Sequence, residues 1–437
     1  MINSNYKSIH RSKKSYDYSL AFLAFLIPLI SKGLPLVIMG VAILGAFYFV
    51  IAYRNVGKEE KKYIFIPYNL LRDSFFNILK SRNTLLIMVC FFFCYLISAF
   101  YSDNQEIAWK GVVLKSSFLY FPILFSLTKW DFKKTKRIFD FFILGCFCNL
   151  MLSYIFVILD SEGGLKLNDF ISNNLSFSFH RSYIAMYINI AIILNSILLL
   201  SKSVAETRNV VAFRWVLQFL FSLFVIMLSS RSGLLTWFIT IILIMLFQVF
   251  VRKQIVKSLF FAFGITFIFF FSINNLSVLG GRMEETVQTI TNSNYEKGVN
   301  GKYTSTGIRV GIWKASLSVF NSSPLFGIGV GDAKAKLIKM YQEKRMKFCY
   351  ESKFNSHNQY LDTGLSIGVV GVLMLCLILF FSFINFGNFT ILTVGIMAVI
   401  GGSLFVESML EKQAGVVFIS WLIALIVSVR PVLKSLK

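Results

Sequence analysis

The chain is poor in charge: Asp, Glu, Lys and Arg make up 15% of its 437 residues. A soluble domain carries about 25%, so an aqueous globular class is excluded. Only six prolines are present, which argues against a loop-rich secreted protein. Histidine occurs three times, at His10, His180 and His357. No Cys/His spacing resembles a zinc site, so no metal is expected. Cys90, Cys94, Cys146, Cys148 and Cys376 sit in apolar runs. Cys349 alone lies in a hydrophilic stretch, without an obvious disulfide partner. Acidic residues number 21 against 44 basic, a net charge of +23. Such an excess suits nucleic acid, but no separate basic domain exists. The Lys and Arg residues cluster between long apolar segments, as membrane topology requires. No nucleic-acid partner is expected, and no internal repeat is visible.

What is abundant is apolar surface. Hydrophobic residues make up 56% of the chain, with 48 Phe. Lipid is the simplest place for it. A hydrocarbon core of about 30 Å needs about 20 apolar residues per helical span. Only helices or closed barrels satisfy the backbone there, and these runs are too long for barrel strands. Candidate spans lie near 18–32, 34–53, 84–101, 111–128, 138–159, 182–200, 213–230, 233–251, 256–273, 364–384, 388–406 and 414–430. The first is shorter than a full span. Gly33-Leu34-Pro35 reads either as a tight turn or as a kink in one long helix. Lys7, Arg11, Lys13 and Lys14 before an apolar run resemble a signal-peptide start. A second apolar run follows almost at once, so the first helix is read as uncleaved.

With both termini in the cytoplasm, alternating spans put 25 Lys/Arg on that side and 19 on the other, 12 of the 19 within 274–363. Long loops translocate largely regardless of charge, so the bias holds. The chain then divides into nine spans over 1–273, an outer loop over 274–363 and three spans over 364–437. A loop of that length is usually functional or disordered. Residues 308–320 place Ile308, Ile312, Trp313, Leu317 and Phe320 at helical spacing, with Ser305 or Thr306 as a cap. A Lys-rich second helix is expected over 332–347. The stretch 292–307 has the polar, glycine-containing composition of a mobile cover.

Several residues could carry chemistry, each with a bland alternative. His357 precedes span ten; an imidazole can serve as a general base near neutrality, or be a plain boundary residue like Asn358 and Tyr360. Arg309 opens the loop helix with Trp313 on the same face. Its guanidinium suits phosphate oxygens, or stacks on Trp313 as a cation–π pair. Arg231 lies in Leu228-Ser-Ser-Arg-Ser-Gly233 between two apolar runs. It faces a cavity or partner there, or snorkels to headgroups; the positive-inside bias favours function. His180 and Arg181 start span six and read as anion donors or as a boundary pair. Gly327-x-Gly-x-Gly331 lacks the preceding strand of a nucleotide site and reads as a tight loop. Glu407 and Glu411, between spans eleven and twelve, could pair with a cation or bind acceptor sugars, but their spacing does not demand catalysis.

Taken together, these features resemble the O-antigen ligase/polymerase family. They are the twelve spans, the large outer loop, Ser230-Arg-Ser-Gly233, and Arg309-x-x-x-Trp313 followed by Pro324-Leu-Phe-Gly-Ile-Gly329. Ser356-His-Asn-Gln-Tyr-Leu361 and Gly364-Leu-Ser-Ile-Gly-Val-Val-Gly371 complete the set. The resemblance implies an all-α, GT-C-like membrane fold in the bacterial inner membrane, with an active site facing the periplasm. It implies a metal-independent glycosyltransferase without cofactor. The donor would be a polyprenyl-diphosphate-linked glycan and the acceptor lipid A–core or a second glycan, with membrane lipid around both. Carried over by motif, Arg231 and Arg309 would bind the diphosphate and His357 would act on the acceptor hydroxyl. Trp313, Asn358, His180 and Arg181 would line the substrate. A ligase is expected, a polymerase of the same family is the alternative, and a lipid-linked-sugar flippase ranks behind both, because it calls for charges at the bilayer midplane.

Overall fold

The structure is a computed structural model that describes residues 2–30, 33–54, 83–160, 170–171, 175–176, 179–201, 206–255, 264 and 305–435. All regular elements among them are helices. They are α1 (Ile2–Leu26), α2 (Leu34–Arg54), α3 (Asn83–Phe100), α4 (Gln105–Lys115), α5 (Ser117–Ser126) and α6 (Phe132–Asp160). Next come α7 (Arg181–Leu200), α8 (Arg208–Leu228), α9 (Arg231–Leu246), α10 (Ser305–Phe320), α11 (Ala333–Glu343) and α12 (Lys347–Glu351). The last three are α13 (Gln359–Phe383), α14 (Thr390–Val406) and α15 (Gln413–Lys434).

Eight helices among the described residues are long and apolar enough to cross a membrane: Gln105–Ser126, Phe132–Asp160, Arg181–Leu200, Arg208–Leu228, Arg231–Val251, Gln359–Phe383, Gly387–Val406 and Gln413–Ser435. Leu34–Tyr48 and Thr84–Phe100 are shorter apolar helices. The expected span at 18–32 falls on α1, which starts in the basic segment and ends at Leu26. Gly33 at φ +91° then turns the chain. Tyr16 and Tyr48 stack at 5.9 Å, so α1 and α2 form a hairpin rather than one kinked helix. The expected span at 256–273, apart from Gly264, and the first half of the loop lie outside the described residues.

Burial separates the inner helices from the outer ones. Every side chain of α7 from Ser182 to Leu198 is buried, and α15 is buried from Ala414 to Val429. Both therefore run through the middle of the bundle. By contrast, Phe47, Ile97, Phe100, Val113, Leu159 and Leu373 are well exposed on outer helices. A contiguous apolar exterior of this kind suits lipid. At the ends of α7 and α8 remote from Arg231, Arg214 bonds Glu206 at 2.6 Å, Asp140 at 2.7 Å and Asn195 at 3.2 Å. Lys136 joins the same carboxylates. Two cations face two anions there, so the cluster is charge-balanced and ties α6, α7 and α8 together.

The second half of the loop packs as a small helical unit. Ile312, Ala315, Val319, Leu337, Tyr341 and Cys349 share one core with Leu365 of α13. Cys349 is a free, buried thiol there. The single helix expected over 332–347 is instead two, because Arg345 takes φ +56° between α11 and α12. That left-handed turn stops a helix. The helix expected from 308 begins at Ser305, so Thr306 lies inside its first turn and does not cap it.

The glycine loop docks on a break in α13. Ile367 and Gly368 leave helical geometry, Gly368 at φ +70°. The backbone groups freed by the break need partners in a low-dielectric interior. The loop supplies them: Ile328 N–H donates to Leu365 O at 2.8 Å, Gly329 N–H to Ser366 O at 3.2 Å, and Val369 N–H to Pro324 O at 2.8 Å. A Cβ on Gly368 would stand 2.1 Å from Leu325 O, and one on Gly327 2.6 Å from Ile367 N. Gly368→Ala is therefore expected to cost at least about 1–3 kcal/mol from backbone strain alone. Thermal unfolding of the purified variant in detergent checks this, and an unchanged midpoint would refute the splice.

Candidate active site

Arg231 is placed by a two-residue turn. Ser229 takes the left-handed conformation at φ +49°. Ser230 then caps α9, its Oγ accepting from Gly233 N–H at 3.4 Å. Gly233 lets α9 approach α7, since a Cβ there would meet Ala185 Cβ at 2.5 Å. Asn189 of α7 donates to Gly233 O and to Thr236 Oγ1, both at 3.0 Å. Each polar residue of this turn has a role in the turn or in packing except the arginine. Arg231 sits at the first position of α9, where the helix dipole disfavours a cation. Its guanidinium reaches out to donate to the Thr306 hydroxyl of α10.

Arg309 lies on the same helix and turns toward Glu407, with its Nη2 3.7 Å from Oε2. Burial pushes the guanidinium below its usual value, opposed by Glu407 and aided by Arg231. Trp313, one turn on, packs edge-on against Phe405 at 5.2 Å, and no cation–π pair joins it to Arg309 among the described residues. Arg309 Nε and Trp313 Nε1 are both buried and lack a hydrogen-bond partner among the described residues. Orphaned buried donors are costly. Two of them on one face of a helix mark a place for an acceptor atom.

His357 stands at φ +44°, a left-handed conformation rare for a residue with a side chain. Its backbone N–H is held by Asn355 Oδ1 at 3.2 Å, and its ring meets Phe354 edge-on at 5.4 Å. Nδ1 lies 2.9 Å from Glu407 Oε1. Glu407 thus joins His357 and Arg309 through its two oxygens. Burial would raise the Glu407 carboxyl, but the His357 hydrogen bond and the nearby positive groups hold it below its usual range. His180 caps α7, its Nδ1 accepting weakly from Ser182 N–H at 3.5 Å. Burial lowers its value, and Arg181, Arg309 and His357 lower it further against the pull of Glu407.

The structure therefore brings Arg309, His357 and His180 to Glu407, with Arg181 beside His180; Arg231 reaches the same helix as Arg309 through Thr306, and Trp313 packs on Phe405. Asn358 serves as the cap of α13, its Oδ1 accepting from Leu361 N–H at 3.1 Å. Sequence reasoning offered Glu407 as a partner for a cation or for acceptor sugars without naming Arg309 or His357, and it missed Thr306 as a partner of Arg231. The one signal for Glu407 was an acid at the end of an apolar run. A cavity of about 410 Å³ lined by Gly307, Gly311, Lys314, Lys344 and Arg345 opens elsewhere. By helical spacing Gly307, Gly311 and Lys314 face away from Arg309. Among the described residues, no group of three or more His, Cys, Asp or Glu could hold a metal ion.

A bundle of apolar helices capped by a small helical unit, with cations and one imidazole gathered between them, defines a polytopic membrane protein. Residues 216–376 match the family model described as O-Antigen ligase. That match agrees with the family the motifs resemble, and the matched stretch holds Arg231, Arg309, Trp313, His357 and Asn358. Glu407, His180 and Arg181 lie outside it. No curated protein matches the chain.

Because the Glu407 carboxyl lies lower in the folded chain than in the unfolded one, the stability it contributes is complete above its ordinary value of 4.5 and is lost as pH falls through the lowered value. Glu407→Gln is expected to lose part of the acid-induced drop in unfolding midpoint below that pH. Identical pH dependence in both proteins would show that the carboxylate is not paired in solution.

Proposed function

We propose that the protein is a glycosyltransferase of the O-antigen ligase type. It moves a preassembled glycan from polyprenyl diphosphate to a lipid A–core or related acceptor on the outer face of the bacterial inner membrane. The observation that carries this reading is the convergence of Arg309 and His357 on Glu407, with Arg231 tied to the same helix through Thr306, beside two buried donors without a hydrogen-bond partner among the described residues. The chemistry follows from charge. As the bond between the sugar C1 and the diphosphate oxygen breaks, negative charge grows on the leaving group. Arg231 and Arg309 stabilise it without reorganisation, and Arg309 Nε and Trp313 Nε1 offer further N–H groups to its oxygens.

The acceptor hydroxyl forms the new bond to C1 and must give up its proton. With Nδ1–H donated to Glu407, His357 presents the lone pair of Nε2 to take it. Glu407 then plays the orienting part of a carboxylate behind a histidine base. His180 and Arg181 would border the donor. The prenyl tail stays in the bilayer along the Phe-rich helices, so the reaction sits at the membrane edge. A polymerase would use the same geometry with a glycan as acceptor.

Purified His357→Ala should lose on the order of a hundredfold to ten-thousandfold in transfer rate, the range for a lost general base. Transfer at the wild-type rate would remove His357 from the chemistry. Lipopolysaccharide gels of a deletion strain separate the two acceptors. Core without any O-antigen is the result expected of a ligase. Core bearing a single repeat unit would overturn that reading in favour of a polymerase.

A further inference from the structure

Lys115 lies inside the span Gln105–Ser126, and the function proposed above makes no use of it. It is fully buried, and a buried charge is retained only with partners. Its Nζ donates to Leu410 O and to Glu411 Oε1 at 2.8 Å, and lies 5.2 Å from the centre of the Tyr95 ring. Glu411 is in turn hydrogen-bonded to Asp362, in the first turn of α13. Burial would raise the Glu411 carboxyl, but the Lys115 charge and the bonds with Lys115 and Asp362 hold it low.

The cluster ends on the two active-site segments. Ser356 Oγ bonds Asp362 Oδ1 at 3.2 Å, Ser408 Oγ at 3.0 Å and Asn358 O at 2.9 Å. Gln359 Oε1 accepts from Leu410 N–H at 2.7 Å. Ser356 and Ser408 are the chain neighbours of His357 and Glu407. The strained backbone of His357 persists only if its surroundings over-determine it. Apolar residues of similar size often stabilise a core as well as a buried ion pair does, so stability alone does not call for these groups.

We propose that the buried Lys115–Glu411–Asp362 cluster, acting through Ser356 and Ser408, is a positioning device that sets His357 against Glu407. Its effect on turnover rests on the reading of His357 as the base; its effect on the His357–Glu407 contact does not. None of its members touches the reacting atoms.

The test uses the full-length protein labelled with ¹⁵N-histidine in detergent or nanodiscs. The chain has three histidines, so the His357 signal is assigned by its loss in His357→Ala. In Lys115→Met, Asp362→Ala and Ser356→Ala the His357 Nδ1 resonance is expected to move away from its Glu407-bonded position. Transfer kcat should fall on the order of a hundredfold while the donor KM stays within about twofold, the pattern of a misplaced group rather than lost binding. Asp362→Asn keeps an acceptor for Ser356 and a donor for Glu411, and should restore most of what Asp362→Ala loses. If Lys115→Met does not fold, Ser356→Ala, which removes one hydroxyl, carries the test. A folded Ser356→Ala with an unshifted His357 signal overturns the proposal. So does an Asp362→Asn no better than Asp362→Ala. A shifted signal in a protein that transfers no glycan would leave the positioning role standing and refute the transferase reading.

Discussion

Glu407 joins the membrane bundle to the loop unit. It follows directly on α14, and its two oxygens reach in different directions, to the imidazole of His357 and to the guanidinium of Arg309. Removing a carboxylate from water is costly, and here the cost is offset by two partners of opposite character. The consequence is geometric. A histidine from the segment before α13 and an arginine from α10 are brought to one point, although 48 residues separate them in the sequence. Arg231 joins from α9 through Thr306, so α10 is tied to α9 by that bond and to Glu407 by Arg309.

The loop unit is also held by its backbone. A helix broken inside a bundle leaves amide and carbonyl groups that lipid cannot satisfy. At Ile367 and Gly368 these groups are met by residues 324–329, which the glycines allow to approach closely. Gly327, Gly329 and Gly331 are thus read as a docking surface, not as a phosphate cradle. Gly329 and Gly331 press on Ser102 just beyond α3, whose hydroxyl accepts from Gly331 N–H at 3.1 Å. The splice fixes the height of α10 over the bundle, and with it the height of Arg309.

Charge is distributed with the same economy. Remote from the site, Arg214, Lys136, Glu206 and Asp140 balance each other and leave nothing for a ligand. At the site end, Arg309 and His357 share the Glu407 carboxylate, and Arg231 stands close by on the Thr306 hydroxyl. The surplus is positive, and it sits beside donors that the protein itself does not engage. An anionic group with several oxygens fits that surplus, and the similarity of 216–376 to the O-antigen ligase family model agrees with it.

Much of the architecture was legible in the residues alone, because lipid leaves few choices. Apolar runs of span length have to be helices, and the eight that appear as such lie where the runs were. The motif residues Arg231, Arg309, Trp313 and His357 were legible because unusual side chains stand at boundaries where ordinary ones suffice. Local rules failed at Arg345, where one expected helix became two. They failed at Gly368 as well, where an apolar stretch that reads as one span is broken by a partner found 40 residues earlier. The sequence by itself determined the class, the helices and the cations. Only the tertiary structure decided that Glu407 unites the site, that Asn358 is a cap, and that Lys115 faces Glu411. The physical reason is that a buried charge acquires its role from the partners that desolvate with it, and those partners come from helices far apart in the chain.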